Sequence, residues 1–324
     1  MAFDLTCVAL LVEGLTGYPQ PLFRAIRHPV VWAGTLISAL ESRLNRTTLP
    51  GPARKRNGVL TVIVLLACAM LPALMLEAFL RQFALGVVLA GILGSVLIAQ
   101  HSLYTYVAAV ATALEKGGLA AGRRAVSHIV GRDPEQLDVA GVTRGAIESL
   151  AENFSDGIVA PTFWMLVGGL AGGAGYKALN TADSMIGHRN PRYEDFGWAA
   201  ARLDDLVNLP ASRLSGLLIV LAAGLLPGCS PKEAWRAMLR DAPHHRSPNA
   251  GWPEAAMAGA LGISIAGPRS YGGVPAQAAY MGNGRRDIDA RDIRAALRLY
   301  VAADALLVVF VTLIALAGLV IARG

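Results

Sequence analysis

GVLTVIVLLACAMLPALML (58–76) carries no charged residue. The ~30 Å hydrocarbon core of a bilayer takes about 20 apolar residues as a helix, so this stretch is long enough to cross it. Further uncharged runs lie at 82–114, 157–176, 214–231 and 305–322. The run at 82–114 exceeds one span and is expected to cross and then continue as a helix beyond the membrane. The stretch 3–15 is shorter and contains Glu13, which makes it the weakest candidate. The sequence therefore predicts an all-α, polytopic helical membrane protein with about five to six spans. It is read as one membrane domain over residues 1–324, with functional helical loops at 115–156, 177–213 and 232–300.

Composition agrees. Of the 324 residues, 16% are charged, against about 25% in soluble domains. The deficit is concentrated in the apolar runs, which argues against one large soluble core. The formal net charge of +6 fits basic residues flanking spans on the cytoplasmic side. No basic run is interleaved with aromatics, so nucleic acid is not an expected partner. Cys7, Cys68 and Cys229 sit in apolar stretches without metal-like spacing and read as packing residues. No GxxxxGK[ST] loop is present. His28, in Arg27-His28-Pro29, marks a segment boundary more readily than a catalytic base.

Charge also orients the loops. Segment 42–57 holds Arg43, Arg46, Arg54, Lys55 and Arg56 and no acid, and loop 232–300 holds ten basic residues; both read as cytoplasmic. Parity then conflicts with chemistry. A full crossing at 157–176 would put loops 115–156 and 177–213 on opposite faces. Gly168, Gly169, Gly172 and Gly173 allow either close helix packing or a broken, returning helix.

Three segments carry candidate chemistry. In ESLAENFSDG (148–157), Glu148 and Glu152 are spaced to share a helical face, with Asn153 beside them. In 177–213, Asn180 and Asp183 are three apart and Asp204 and Asn208 four apart. Each pair sets a carboxylate and an amide on one face. Such oxygen ligands suit Mg²⁺, which commonly bridges to phosphate. Lys177, Arg189, Arg192, Arg202 and Arg213 are available for phosphate or for balancing the acids. In HHRSPNAGWPE (244–254), Ser247, Asn249 and neighbouring backbone N–H groups form a turn before a helix start, an arrangement that favours anions. The bland alternatives are a solvated helix end, a polar connector and an ordinary turn.

The stretches HPVVWAG (28–34), ESLAENFSDGIVAP (148–161), NTADSMIGHRNPRYEDFGWAAARLDDLVNLPASR (180–213) and SPNAGWPEAAMAGALG (247–262) together resemble the adenosylcobinamide-phosphate synthase family. The resemblance covers nearly the whole chain in the right order. One departure precedes His28: the family's aspartate and Gly-Asp/Glu-Pro are replaced by Glu13 and Gly17-Tyr18-Pro19, so roles for acids there are not carried over. The resemblance implies ATP-dependent amide formation between adenosylcobyric acid, a corrinoid, and (R)-1-aminopropan-2-ol or its O-phosphate. It implies Mg²⁺ and ATP at the site, and a multi-pass protein of the cell inner membrane.

On that reading Asn180, Asp183, Asp204 and Asn208 are expected to hold the metal. Lys177, Arg189, Arg202, Ser247 and Asn249 are expected to meet phosphates. Glu152, Asn153, Asp183, Asp204 and Asp205 form the catalytic set, with Glu152 as candidate base. Glu152, Asn153, Asn180 and Asp183 are expected to converge on one cavity. Partners are the corrinoid, the amine and the bilayer, with a homo-oligomer or other cobalamin-pathway membrane proteins left open. The alternatives are a non-catalytic inner-membrane regulator of related fold, and an aspartate-rich intramembrane transferase. DDLVN (204–208) and NTADS (180–184) carry fewer acids than that transferase wants.

Overall fold

A long apolar run flanked by Arg54, Lys55 and Arg56 can satisfy its backbone in lipid only by helical hydrogen bonding. In the computed structural model it does so as helix α3 (Gly51–Leu80), which accommodates Pro72 in its interior. The structure describes residues 2–18, 24, 27–130, 134–267, 269–271, 274–276 and 278–321.

The helices in chain order are α1 (Ala2–Thr16), α2 (Pro29–Leu44), α3, α4 (Gly86–Ser95), α5 (Gln100–Val126), α6 (Val139–Phe154), α7 (Ala160–Ile186), α8 (Trp198–Val207), α9 (Leu209–Ala223), α10 (Pro231–Asp241), α11 (Gly251–Leu261) and α12 (Ala290–Ile321). A π-helical turn, Ser155–Val159, separates α6 from α7. Short strands β1 (Ile265–Ala266) and β4 (Tyr280–Met281) pair antiparallel, as do β2 (Arg269–Tyr271) and β3 (Val274–Ala276).

Among the described residues, four helical runs are long and apolar enough to cross a membrane: Gly51–Leu80, Gly86–Val126, Val139–Ile186 and Ala290–Gly318. A fifth is added if Trp198–Val207 and Leu209–Ala223 count as one broken span. The protein is a polytopic helical membrane protein, with four such runs, or five with the broken pair, against the five to six expected. The expected single helix over 82–114 is instead interrupted at 96–99, between α4 and α5.

The chain forms two compact units. The first holds residues 1–99, 160–208 and 311–324, and the second holds 100–159 and 209–310.

In the first unit, Ile37, Val62, Leu65, Ala178, Leu179, Ala182, Ile186, Phe196 and Ala200 form a common core of α2, α3, α7, α8 and the segment before α8. Within lipid such contacts gain from close packing more than from water exclusion, which favours small residues at helix contacts. Gly58 is one: a Cβ there would lie 1.9 Å from the Phe196 carbonyl oxygen.

The glycine run breaks α7. Gly169 has φ 60° and ψ −150°, a conformation essentially confined to glycine. A Cβ on Gly172 would fall 2.1 Å from the carbonyl oxygen of Trp164, and one on Gly173 would fall 2.4 Å from Met165 Cγ. Residues 164 and 172 would be about 12 Å apart on an unbroken helix. The chain therefore folds back at Gly168 and Gly169 as a helical hairpin. The segment 157–176 is not a single straight crossing.

In the second unit, α5 does the same at Gly118 (φ 64°, ψ −162°). There a Cβ on Gly122 would lie 2.3 Å from Leu114 Cδ2. Both reversals use one sequence pattern, GGLAAG (117–122) and GGLAGG (168–173). This unit packs α10 with α9 and α11, and α6 with α5 and α11. Buried carboxylates pin its short strands. Glu148 Oε1 accepts from the Ala266 N–H at 3.0 Å, and Asp241 Oδ2 accepts from the Gly282 N–H at 2.8 Å. Burial alone would raise the Asp241 carboxyl, but Arg240 and the Gly282 N–H outweigh it and hold it below the ordinary range.

Candidate functional site

Helical periodicity sets Asn180 and Asp183 on the last two turns of α7, and Asp204 and Asn208 on and just after α8. The first unit brings these elements together. Asn180 Nδ2 donates to Asp204 Oδ1 at 3.4 Å, and Asn208 Nδ2 donates to Asp204 Oδ2 at 2.9 Å. Asp204 is 7% exposed, so these amides supply hydrogen bonds that water would otherwise provide. The Asn208 amide is engaged on both sides, because its Oδ1 accepts from the Tyr176 hydroxyl at 2.9 Å. Tyr176 went unnoticed in the sequence, although a buried tyrosine hydroxyl ordinarily needs a partner.

Asp183 lies close enough to Asp204 and to Asp205 for mutual repulsion. His188 faces Asp183, while Arg202 and Arg189 face Asp205. The result is a carboxylate group with basic residues beside it at the end of α7. Gly187 makes room for it. A Cβ at 187 would fall 2.0 Å from Asp183 Oδ1. Gly187→Ala is therefore expected to push the Asp183 carboxylate out of place and to lower activity about tenfold or more, as ångström-scale misplacement does. The same Cβ would lie 2.7 Å from the Asp183 carbonyl oxygen, so a lower melting temperature should accompany the loss, and turnover is read on the folded fraction. A fully active Gly187→Ala protein would show that the Asp183 position is unimportant.

Lys177, one turn earlier on α7, lies near His28. His28 Nδ1 accepts the Val30 N–H at 3.2 Å and caps α2. The ring also hydrogen-bonds the Val96 backbone. Both ring nitrogens are thus engaged, in keeping with the segment-boundary reading. Burial, followed by the Lys177 charge, pushes this imidazole below its ordinary range, against the opposite effect of the Val96 hydrogen bond. Among the acids and loop that precede His28, Glu13 is buried, and Pro19 lies outside the described residues.

The other sequence candidates belong to the second unit. Glu152 is exposed on α6, and Asn153 donates to the Ser149 carbonyl at 2.9 Å. Glu148, one turn before Glu152, is buried on the Ala266 N–H. Ser247 Oγ accepts the Asn249 and Ala250 N–H groups at 3.2 and 3.3 Å, so its oxygen occupies the turn that sequence offered to an anion. Asn249 is 5% exposed, and its Oδ1 accepts from Ser212 Oγ and Arg213 Nη1.

Among the described residues, no group of three His, Cys, Asp or Glu side chains is arranged to hold a metal ion by itself. A cation at the α7–α8 carboxylates would need further oxygen ligands, from water or phosphate.

A profile of the CobD/Cbib protein family matches residues 6–300. The chain belongs to the CobD/Cbib family. It is 49% identical over 315 residues to the cobalamin biosynthesis protein CobD of a Sinorhizobium species, covering 96% of this chain and 98% of that one. To the protein of the same name from Brucella anthropi it is 50% identical over 319 residues, 97% of each chain. To that of Rhodobacter capsulatus it is 49% identical over 293 residues, 90% of this chain and 91% of the other. No solved structure matches the chain. In this CobD/Cbib chain the α7–α8 carboxylate group falls inside the matched region, as do Glu152, Ser247 and Asn249.

Proposed function

We propose that the protein acts in cobalamin biosynthesis, in the cell inner membrane. It joins the carboxylate of adenosylcobyric acid to (R)-1-aminopropan-2-ol or its O-phosphate, at the expense of ATP. The observation that carries this reading is the grouping of Asp183, Asp204 and Asp205 with Arg189 and Arg202 in a CobD/Cbib chain. A carboxylate resists attack by an amine. If its oxygen first takes the γ-phosphoryl group of ATP, ADP leaves. The amine nitrogen then attacks the acyl carbon, the C–O bond to phosphate breaks, inorganic phosphate departs, and the nitrogen loses a proton. Such phosphoryl transfer depends mainly on positioning and on charge.

The residues present fit Mg²⁺. Asp183 and Asp205 offer carboxylate oxygens, and Asn180, with its Nδ2 turned to Asp204, keeps Oδ1 for a cation. When bound, Mg²⁺ would neutralise charge on the phosphates. Asn208 and Tyr176 hold Asp204 in place. Arg189, Arg202 and Lys177 orient the triphosphate.

The test is purified protein in detergent with adenosylcobyric acid, Mg²⁺, ATP and each amine in turn, read by product mass and phosphate release. Product is expected only with nucleotide present, and phosphate release only with both corrinoid and amine. Full-rate amide formation without nucleotide, or no amide product with any combination, would refute the reading.

A further inference from the structure

Arg213, in the first turns of α9, is held in an unusual way within the second unit. Its Nη1 donates to Asn249 Oδ1 at 2.9 Å, to Ser212 Oγ at 2.9 Å and to the Leu209 carbonyl at 3.3 Å. Ser212 is 0% exposed and itself donates to Asn249 Oδ1 at 3.0 Å, so the anchor is rigid and buried. The guanidinium carbon lies 4.6 Å from the centre of the Trp252 ring, which fixes the plane of the fork. One edge of the guanidinium is thereby spent. The Nε and Nη2 edge has no acceptor, and Arg213 makes no ion pair, among the described residues.

A half-buried guanidinium held by a neutral amide, a hydroxyl and an aromatic face keeps its charge uncompensated. Its remaining edge has the parallel N–H geometry that recognises carboxylate or phosphate in bidentate fashion. The tendency of buried charges to be paired supplies the rest of the argument.

We propose that Arg213 is an oxyanion clamp, oriented by Asn249, Ser212 and Trp252, which takes a carboxylate or phosphate monoester carried by one of the substrates. The assignment rests on the amide-forming reading above. It changes the part played by Asn249, which positions the clamp and does not itself meet phosphate. Two sources share the chemistry: the corrinoid carboxylate and the phosphate of the phosphorylated amine.

Full-length protein in detergent distinguishes them. A bidentate charged pair corresponds to about a tenfold to hundredfold change in affinity. In Arg213→Gln the KM of the phosphorylated amine should rise by about that factor, with the KM of the unphosphorylated amine unchanged, if the phosphate is the occupant. If the corrinoid carboxylate is the occupant, the corrinoid KM should rise with either amine. Arg213→Lys keeps the charge without the fork and should lie between wild type and Arg213→Gln.

Inorganic phosphate gives a readout independent of turnover. It should raise the melting temperature of the wild type and not that of Arg213→Gln, even if no amide product is ever found. Michaelis constants that stay within twofold for every substrate in both folded variants overturn the clamp. So does an equal phosphate response in wild type and Arg213→Gln.

Discussion

Asp183→Asn and Asp204→Asn are each expected to lower turnover about 10²- to 10³-fold, the usual cost of removing one preorganised electrostatic group from a reacting centre. The changes conserve volume and remove charge. Asp183 is the cleaner test, because among the described residues no side-chain amide is bound to its carboxylate in the way that Asn180 and Asn208 are bound to Asp204. In Asp204→Asn, a new amide would turn a donor toward a donor from Asn180 or Asn208. Some loss of stability, about 1–3 kcal/mol for an unsatisfied buried group, should therefore accompany the lost activity. Product mass measures turnover, and thermal unfolding in detergent separates the two effects. If both variants fold and turn over at near wild-type rate, the α7–α8 carboxylates are not the reacting centre, whatever the CobD/Cbib chain does elsewhere.

What could be read in the sequence follows from which forces are local. The span at 58–76 was legible because absence of charge over that length has few other meanings, and α3 covers it. The Asn180/Asp183 and Asp204/Asn208 pairs were legible because helical spacing is local, and α7 and α8 set them side by side. The direction of the Asn208 amide was not, since it depends on Tyr176 arriving from another helix. The Ser247 turn was legible as a turn. That the Ser247 oxygen itself takes the Asn249 and Ala250 N–H groups depends on loop geometry that composition does not specify. Arg213 read as one basic residue among five in its loop, and only the distant Asn249 and Trp252 distinguish it. The glycines at 168–173 left packing and breakage open. The structure uses both, and the repeat of the pattern at 117–122 was a signal that a comparison of the two stretches would have found.

The hairpin in α7 carries the second large expectation. Breaking a helix inside a membrane protein exposes N–H groups that lipid cannot satisfy. Here Glu77 supplies the acceptor: its Oε2 takes the Leu170 N–H at 2.7 Å, and its Oε1 pairs with Arg81 at 2.7 Å. The anion stands at the start of the returning arm, where a helix N-terminus favours negative charge. Gly169 lets it approach. A Cβ at 169 would meet Glu77 Oε2 at 2.2 Å, and the backbone there has a positive φ. Gly169→Val therefore combines a strained backbone, about 1–3 kcal/mol, with a collision against the carboxylate that caps the arm. It is expected to yield little folded protein, with Asp183 misplaced in whatever remains, since the returning arm carries it. Glu77→Gln is milder. Its amide can still accept the Leu170 N–H through Oε1, but the pair with Arg81 and the charge at the helix start are lost. The expected result is a lower melting temperature with turnover retained in the folded fraction. Glu77→Ala, which leaves the Leu170 N–H without its acceptor, should fall further by about 1–3 kcal/mol. Thermal unfolding in detergent orders the series. Wild-type stability in Gly169→Val would mean that the chain does not reverse at this glycine, and the returning arm would have to be redrawn as part of a straight helix.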